Sequence, residues 1–246
     1  MTKRYSLLVI ASLACAGLMT FFAVINRQVN YQSFGNGITT TLLCPPHSTR
    51  TTIKKDWTTK INVTILTPKQ IIDYFYWTNS ESCTLSHDFG GKMLQNPSGF
   101  DGQKSICLDP LVRPESGNCI VYSFGINNEW SFDEALEEYG CQVFAFDPSM
   151  RKPNHDHSEN IHFFNLGLGE SDYTTKKGWK IQSLDSIYKM LIRSGLHKEN
   201  KVIDYLKIDI ESAEWKVLPQ IMKSGMMKKV RQLGVEFHLG HNIGNF

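Results

Sequence analysis

The sequence predicts an α/β fold in which a parallel sheet is flanked by helices. Residues 120–148 read as a strand, a glycine turn, a helix and a second strand that ends on an acid. Residues 205–215 read as a later strand whose carboxyl end carries two acids. About 180 residues follow position 66, which is enough for one such domain with a full core.

Local patterns predict the first strand, turn and helix. The apolar run at 120–124 suits a strand that is buried on both faces. Gly125 ends this strand, because glycine tolerates a positive φ and lets a ligand approach the backbone. Ser131, followed three residues later by Glu134, is a capping box that predicts the start of a helix. Gly140 lies where a helix C-terminus favours a left-handed residue. The apolar stripe of this helix comprises Phe132, Ala135, Leu136 and Tyr139.

The same unit predicts a nucleotide-type ligand. Asp147 ends the second strand 22 positions after Gly125, close to the roughly 20 expected for an acid that accepts hydrogen bonds from ribose hydroxyls. The turn at 123–127 has one glycine where a dinucleotide fingerprint has three, which argues against NAD. S-adenosylmethionine has no phosphates and tolerates a looser turn. The alternative is a strand, turn and helix with a surface aspartate.

Charged residues alternate along the later strand. Lys207, Asp209 and Glu211 occupy every second position, which places them on one face of a strand. Acids at the carboxyl end of a central strand line the crevice where open α/β sheets bind ligands. The alternative is a lysine–aspartate ion pair at a sheet edge.

Six segments within residues 83–238 follow one another in a characteristic order and spacing. They read FGINNEWSFDEAL, VFAFDPS, FFNLGLG, SLDSI, LKIDIESAEWKVLPQI and VEFH. In this arrangement the chain resembles the FkbM-type methyltransferases, and most closely the methyltransferase-like 24 group. The resemblance implies a Rossmann-like class I sheet with flanking helices and S-adenosylmethionine as cofactor. FkbM-type enzymes methylate hydroxyl oxygens, often on sugars or polyketides.

The resemblance also implies which residues hold the cofactor. Gly125 and Asn127 would line its methionine side, and Asp147 would hold its ribose. Gly167 and Leu168, which follow the third strand, would flank the adenine.

The methyl acceptor is expected to be a hydroxyl of a small molecule or a glycan. By the resemblance Asp209 and Glu211 face this acceptor, and Asp209 is the better candidate for a base or an orienting group. Methyl transfer from a sulfonium is an in-line displacement that depends mainly on alignment. A hydroxyl becomes a better nucleophile as its proton moves to a base within about 3 Å, and the candidates for that base are Asp209, Glu211 and His238. The reaction requires no metal, and none is predicted.

The N-terminus predicts the compartment. Residues 5–25 carry no charge and have about the 20-residue length that spans a bilayer, which predicts a transmembrane signal anchor. Lys3 and Arg4 precede this segment and Arg27 alone follows it, so residues 1–4 are expected in the cytosol and the rest in the lumen of the secretory pathway. The alternative is a signal peptide cleaved near the small residues at 14–16, which would make the protein secreted.

The remaining segments complete the domain plan. Residues 26–66 are rich in threonine, include Pro45-Pro46 and carry a glycosylation sequon at 62–64, which predicts a luminal stalk. A capping box that begins at Thr67 marks the start of a methyltransferase-like domain at 67–246. The net charge of +2 is too small to predict binding to nucleic acid.

The cysteines are expected to form disulfides in an oxidising lumen. The first of the six lies in the predicted membrane span. Cys119 and Cys141 precede adjacent parallel strands at the same end of the sheet, which allows a bridge between them. Cys107 has Cys83 or Cys119 as possible partners, and Cys44 is the candidate for the odd thiol. The alternative is a set of buried free thiols.

Two other classes of function stay open. A type II luminal glycosyltransferase shares the anchor, stalk and α/β domain, and Asp209-Ile210-Glu211 resembles the Asp-x-Asp motif that binds a metal and a nucleotide sugar. A non-catalytic binding protein is the other, because Phe246 follows closely on the fifth predicted strand at 232–238. The sheet is therefore expected to lack the last two strands of a methyltransferase, to expose an edge, and to bind cofactor poorly or be unstable alone.

Overall fold

The computed structural model describes residues 5–12, 20–25, 83–95 and 98–238. The strands are, in chain order, β1 (Tyr5–Ser12), β2 (Thr20–Ile25), β3 (Ser86–Phe89), β4 (Lys92–Gln95), β5 (Ser98–Asp101), β6 (Lys104–Cys107), β7 (Cys119–Phe124), β8 (Cys141–Phe146), β9 (His155–Asp156), β10 (Ile161–Phe164), β11 (Gly167–Leu168), β12 (Tyr173–Thr174), β13 (Lys180–Gln182), β14 (Ile203–Ile208) and β15 (Val230–Phe237). The helices are α1 (Ser131–Tyr139), α2 (Leu184–Arg193) and α3 (Glu214–Lys223). The tail predicted at 1–4, the stalk at 26–66 and the helix start at Thr67 lie outside the described residues.

The main sheet confirms the predicted α/β fold. Its strand order is β2-β1-β15-β14-β7-β8-β10-β9, and the five strands from β15 to β10 run parallel. Parallel strands need crossovers, which are supplied here by α1 between β7 and β8 and by α3 between β14 and β15. Because the central strands share one direction, their carboxyl ends meet at one edge of the sheet.

The core has two layers, one on each face of this sheet. Side chains of α2 and α3, such as Leu184, Leu191 and Val217, pack on one face with Phe124. Leu136 of α1 packs on the other face among a second set of strand residues. Every residue of β7 and of β14 is buried, as the continuous apolar run at 120–124 predicts for a strand with helices on both sides.

The N-terminal segment differs from the prediction of a transmembrane helix. Over residues 5–12 and 20–25 the backbone is extended, and β1 pairs antiparallel with both β15 and β2. Within the described part of the chain, no helix has the length and apolar character needed to cross a membrane.

These two strands also correct the expectation that the sheet exposes an edge beside its fifth parallel strand. β1 occupies the edge of β15, with Tyr5 opposite Phe237 and Ile10 opposite Gln232. An open edge presents unpaired N–H and C=O groups, and the extended N-terminal backbone pairs with them. The expectation of an open edge was wrong because it considered only segments that follow the fifth parallel strand, whereas the strand that covers this edge comes from the N-terminal segment.

The predicted helix over Ser131–Tyr139 is present, but its start differs. Gly140 is left-handed at φ +103°, as expected. The predicted capping box is absent: Trp130 is the N-cap residue and no side chain caps the helix. The Ser131 hydroxyl instead accepts a hydrogen bond from the Gly91 N–H at 2.6 Å. The capping motif is local, and a tertiary contact from 40 residues earlier has taken its hydroxyl.

Two disulfides select among the pairings that the sequence left open. Cys119 bonds to Cys141, and Cys83 bonds to Cys107. The first bridge joins directly opposed residues at the start of β7 and β8, which is one of the pairings left open. The second ties the segment before β3 to the end of β6. Buried free thiols are therefore excluded for these four cysteines, while Cys44 lies outside the described residues.

Candidate functional site

The glycine turn after β7 lies against the end of β14. Gly125 has φ +82°, and a Cβ atom placed there would lie 1.7 Å from the Asp209 carbonyl oxygen. The Asp209 N–H in turn donates to the Phe124 carbonyl at 3.1 Å. The prediction that this position needs glycine is therefore confirmed, and the reason is both its positive φ and its lack of room. Asn127 and Asn128 continue the turn with positive φ.

Asp147 is buried at the end of β8 and holds this turn in place. Its Oδ2 atom accepts hydrogen bonds from the N–H groups of Ile126 and Asn127 at 2.9 and 2.8 Å. Its Oδ1 atom accepts from the Ser149 N–H and hydroxyl at 2.7 and 2.6 Å. The predicted neighbours Asn127 and Asp147 are thus in direct contact. A ribose hydroxyl would have to replace some of these donors, because two carboxylate oxygens offer about four lone pairs.

The predicted adenine-flanking residues lie close to Asp147. Gly167 and Leu168 form β11, which pairs with β13, and both residues are buried. A Cβ atom at Gly167 would meet Ile181 Cδ1 at 2.6 Å and Pro148 Cγ at 3.1 Å. Since Pro148 follows Asp147 in the chain, the structure brings the second and third strand ends together as the resemblance implies. The assignment of these residues to adenine stays a prediction.

A second group of side chains, the acid–histidine cluster, lies beyond β14 and β15 and comprises Asp209, Glu211, Glu214, Glu236 and His238. His238 Nε2 lies 3.7 Å from Asp209 Oδ1, 3.6 Å from Glu211 Oε2 and 3.8 Å from Glu236 Oε1. The three predicted catalytic residues are therefore brought together. Asp209 and His238 are mostly buried, whereas the Glu211 side chain is 78% exposed.

Glu214 orients the imidazole of this cluster. Its Oε1 atom lies 3.1 Å from His238 Nδ1 and also accepts the Ile210 N–H at 2.8 Å. A carboxylate accepts hydrogen bonds, so this contact favours the ring orientation in which Nδ1 donates to Glu214 and Nε2 faces Asp209, Glu211 and Glu236. Glu214 is fully buried, and its Oε2 atom has no hydrogen-bond partner among the described residues.

Glu211 reaches the cluster by a route that the sequence pattern did not predict. The alternation of Lys207, Asp209 and Glu211 assumed a continuous strand, but β14 ends at Ile208. Glu211 and Ser212 then adopt positive φ values of +54° and +82°. This turn, and not strand periodicity, brings the Glu211 carboxylate to His238.

Two lysines counter part of the negative charge. Lys104 Nζ lies 3.1 Å from Glu236 Oε2 and 3.8 Å from Asp209 Oδ2. Lys207 Nζ donates to the Gly125 carbonyl at 2.6 Å, so it contacts the glycine turn itself. Burial lowers the pKa of the Lys207 ammonium group, and nearby Asp209 acts in the opposite direction. Burial raises the pKa of the Glu236 carboxyl, while Lys104 acts to lower it.

Sequence reasoning missed Lys104, Glu214 and Glu236. Glu236 precedes His238 by two residues, so strand alternation would have placed both on one face. Glu214 has the signal of an acid in the first turn of a helix. No local signal identifies Lys104, because it reaches Glu236 from 132 positions earlier in the chain.

Comparisons with known proteins match this chain to a methyltransferase domain. A family model described as a methyltransferase domain matches residues 70–242. The chain is also similar to "Probable methyltransferase-like protein 24" of Homo sapiens, with 31% identity over 145 residues, which are 55% of this chain and 38% of the relative. The Rattus norvegicus protein of the same name is 33% identical over 144 residues, which are 54% of this chain and 38% of the relative.

The matched part is thus well under half the length of these curated relatives. No solved structure matches the chain. The family match covers most of the chain and includes the glycine turn, Asp147 and the acid–histidine cluster. It favours the methyltransferase interpretation over the glycosyltransferase one, and the narrower FkbM type stays an interpretation. The chain belongs to the methyltransferase domain family and is related to methyltransferase-like protein 24.

Proposed function

We propose that this protein uses S-adenosylmethionine to methylate a hydroxyl oxygen of a small molecule or a glycan. One observation carries the proposal: the glycine turn and the acid–histidine cluster touch. Gly125 lies so close to the Asp209 carbonyl that no side chain fits between them, and the Asp209 carboxylate lies 3.7 Å from His238. A methyl donor on the turn would therefore lie next to groups that can accept a proton.

The residues of the turn fit this cofactor. A pyrophosphate favours several glycines around a helix N-terminus, whereas this turn has one glycine. The Ile126 and Asn127 N–H groups are already bound by Asp147, which leaves a turn that is fixed in shape. When bound, S-adenosylmethionine supplies a methyl group on a positively charged sulfur. The four carboxylates near His238 offer a favourable electrostatic environment for that charge.

The side chains of the cluster would serve the acceptor. Asp209 and Glu211 face the same point as His238 Nε2, so a hydroxyl placed there has acceptors for its proton on several sides. Methyl transfer adds no other requirement for reactive groups, since the displacement depends on alignment of the acceptor oxygen with the methyl carbon. The structure thus supports Asp209, Glu211 and His238 as the candidate catalytic residues.

Calorimetric titration of the purified full chain with S-adenosylmethionine tests the cofactor. We expect micromolar binding that Asp147→Asn weakens at least about tenfold, because that residue shapes the turn. Asp156→Asn is the matched control, since it removes a mostly exposed carboxylate that pairs with His162. A folded protein that does not bind S-adenosylmethionine would overturn the proposal. Transfer of an isotopically labelled methyl group to a panel of sugars and small alcohols would then identify the acceptor.

The proposal extends to an oxidising compartment, the lumen of the secretory pathway. Two disulfides support it, since such bonds persist outside the cytosol and are rare within it. The sequon at 62–64 offers the test. Expressed in animal cells, the protein should shift in mass on glycosidase treatment, and Asn62→Gln should abolish the shift. An unshifted protein with free thiols would contradict a luminal location.

A further inference from the structure

The acid–histidine cluster includes a feature that proton acceptance alone does not require. Within it, Glu214 holds the His238 ring so that the ring faces Asp209 and Glu211. In many metal sites a histidine ligand donates its second N–H to a buried carboxylate, which fixes the ring and its tautomer. Glu214 is fully buried and does this for His238 at 3.1 Å. The opposite nitrogen, Nε2, is thereby aimed at the carboxylates of Asp209 and Glu211.

The spacing around Nε2 fits ligands of one cation better than hydrogen-bond partners. The carboxylate oxygens of Asp209, Glu211 and Glu236 lie 3.6–3.8 Å from Nε2, which is too long for a hydrogen bond. Ligand atoms that each lie about 2.1–2.4 Å from a shared ion are about 3–3.8 Å from one another in tetrahedral or octahedral geometry. One ligand atom from each of Asp209, Glu211 and His238 lies within 4.8 Å of the others.

Charge supplies a second, independent argument. Four carboxylates surround His238, namely Asp209, Glu211, Glu214 and Glu236. Lys104 contacts Asp209 and Glu236, whereas in the described part of the chain the ion pairs of Glu211 and Glu214 are with His238. In addition, the buried Glu214 Oε2 atom has no hydrogen-bond partner in the described part of the chain. Buried carboxylates are normally paired or bound to a metal, and a divalent cation would complete this balance.

We propose that Asp209, Glu211 and His238 bind a divalent metal cation, with Glu214 as the positioning residue that orients the histidine. Carboxylates suit Mg²⁺, Ca²⁺ and Mn²⁺, whereas imidazole suits transition metals, so the mixed donor set fits Mn²⁺. The cation lies where the acceptor hydroxyl is expected, and its coordination of that oxygen would hold the acceptor in line. This catalytic role rests on the proposed function, but binding of the cation does not.

Electron paramagnetic resonance of Mn²⁺ tests the site directly, because the six-line signal of the free ion disappears on binding. The full chain, free of any histidine tag, should bind one Mn²⁺. Asp209→Asn and Glu211→Gln should each weaken binding about tenfold or more, and Glu214→Gln should weaken it through the histidine. Glu211→Gln is the most informative variant, because its side chain is 78% exposed and the change keeps its size.

Asp156→Asn is again the matched control, since Asp156 lies 2.6 Å from His162 and, among the described residues, this pair is not part of a group of three possible metal ligands. It should leave Mn²⁺ affinity unchanged. The proposal is overturned if Mn²⁺ does not bind, or if binding is the same in Asp209→Asn and Glu211→Gln as in the original chain. Calorimetry with S-adenosylmethionine separates the two proposals: Mn²⁺ binding without cofactor binding retains the metal site alone, and the reverse result retains the cofactor site alone.

Discussion

Gly125 has the least freedom of any residue in the site. Its positive φ excludes most side chains, and the Asp209 carbonyl excludes even a methyl group. Its own carbonyl is held by the buried Lys207 ammonium group at 2.6 Å. The turn is therefore fixed from both sides of the peptide, which suits a turn that must meet a ligand without rearranging.

Replacing Gly125 with alanine, and comparing it with another glycine of the same φ, distinguishes the cost of a positive φ from the cost of a steric clash. Gly125→Ala should lower the free energy of unfolding by about 3 kcal/mol or more, because the new methyl group must displace the backbone of Asp209. Gly178→Ala is the matched control: Gly178 has the same φ of +82° but nothing within 4 Å of its Cβ position, so about 1 kcal/mol is expected. Urea unfolding measures both, and equal losses would contradict the steric argument.

The buried carboxyl group of Asp133 should make the stability of the protein depend on pH. Its carboxyl group is fully buried in α1, and burial raises its pKa to about 6 from an ordinary 3.8. The folded state thus binds more protons than the unfolded state between pH 4 and 6, so stability falls as the pH rises through this range. The loss is on the order of 3 kcal/mol at neutral pH.

Asp133→Asn should remove this part of the pH dependence, because the amide does not titrate. Unfolding in urea at pH values from 4 to 7 would measure it for both proteins. As the pH rises, the free energy of unfolding of the original chain should fall relative to that of the variant. Parallel stability curves would contradict the inference from burial.

At the scale of elements, the sequence predicted what local patterns determine. The structure contains the strand predicted from the apolar run before Gly125 and the helix predicted from the apolar stripe of α1. Both patterns reflect burial against the core on the two faces of the sheet. The capping box at Ser131 was wrong, since Gly91 competes for its hydroxyl. The turn at Glu211 was also missed: two non-glycine residues with positive φ have no sequence signature, and they persist only when surrounding contacts hold them.

β6 is tied to β15 by the buried ion pair of Lys104 and Glu236. Lys104→Met would leave the Glu236 carboxylate buried near Asp209 without its partner, and about 3 kcal/mol of stability should be lost. The double variant Lys104→Met with Glu236→Gln should be more stable than the single one, since no uncompensated charge is buried. Thermal unfolding of the original chain, the single variants Lys104→Met and Glu236→Gln, and the double variant would measure the coupling, and additive losses would contradict it.

At the scale of the whole molecule, the order of the parallel strands was predictable, but the pairing of the N-terminal strands with the edge of the sheet was not. Crossover units fix β7, β8 and β14 as neighbours or near neighbours, because each helix returns the chain to the sheet. The pairing of β1 with β15 joins opposite ends of the chain, and no local pattern encodes such a partner. The same apolar segment satisfied the criteria for a membrane span.

The two disulfides should account for a large part of the stability. Each closes a loop of 22 or 24 residues, for which about 3 kcal/mol is expected. Cys119→Ala with Cys141→Ala should lower the free energy of unfolding by that amount, and dithiothreitol should lower that of the original chain further. A variant that lacks the four cysteines of the two bridges is the control, because dithiothreitol should not change its stability.

The contacts that build the acid–histidine cluster have a consequence for biosynthesis. Lys104 meets Glu236 across 132 positions, and Glu214 meets His238 across 24. Both partners lie on or just after β15, which is the last of the parallel strands to leave the ribosome. A growing chain can pair β7 with β8 and close the Cys119–Cys141 bridge early, but it carries no assembled cluster until β15 has emerged. Nascent chains should therefore acquire protease resistance in the first half of the sheet before they acquire any capacity to bind a substrate or an ion.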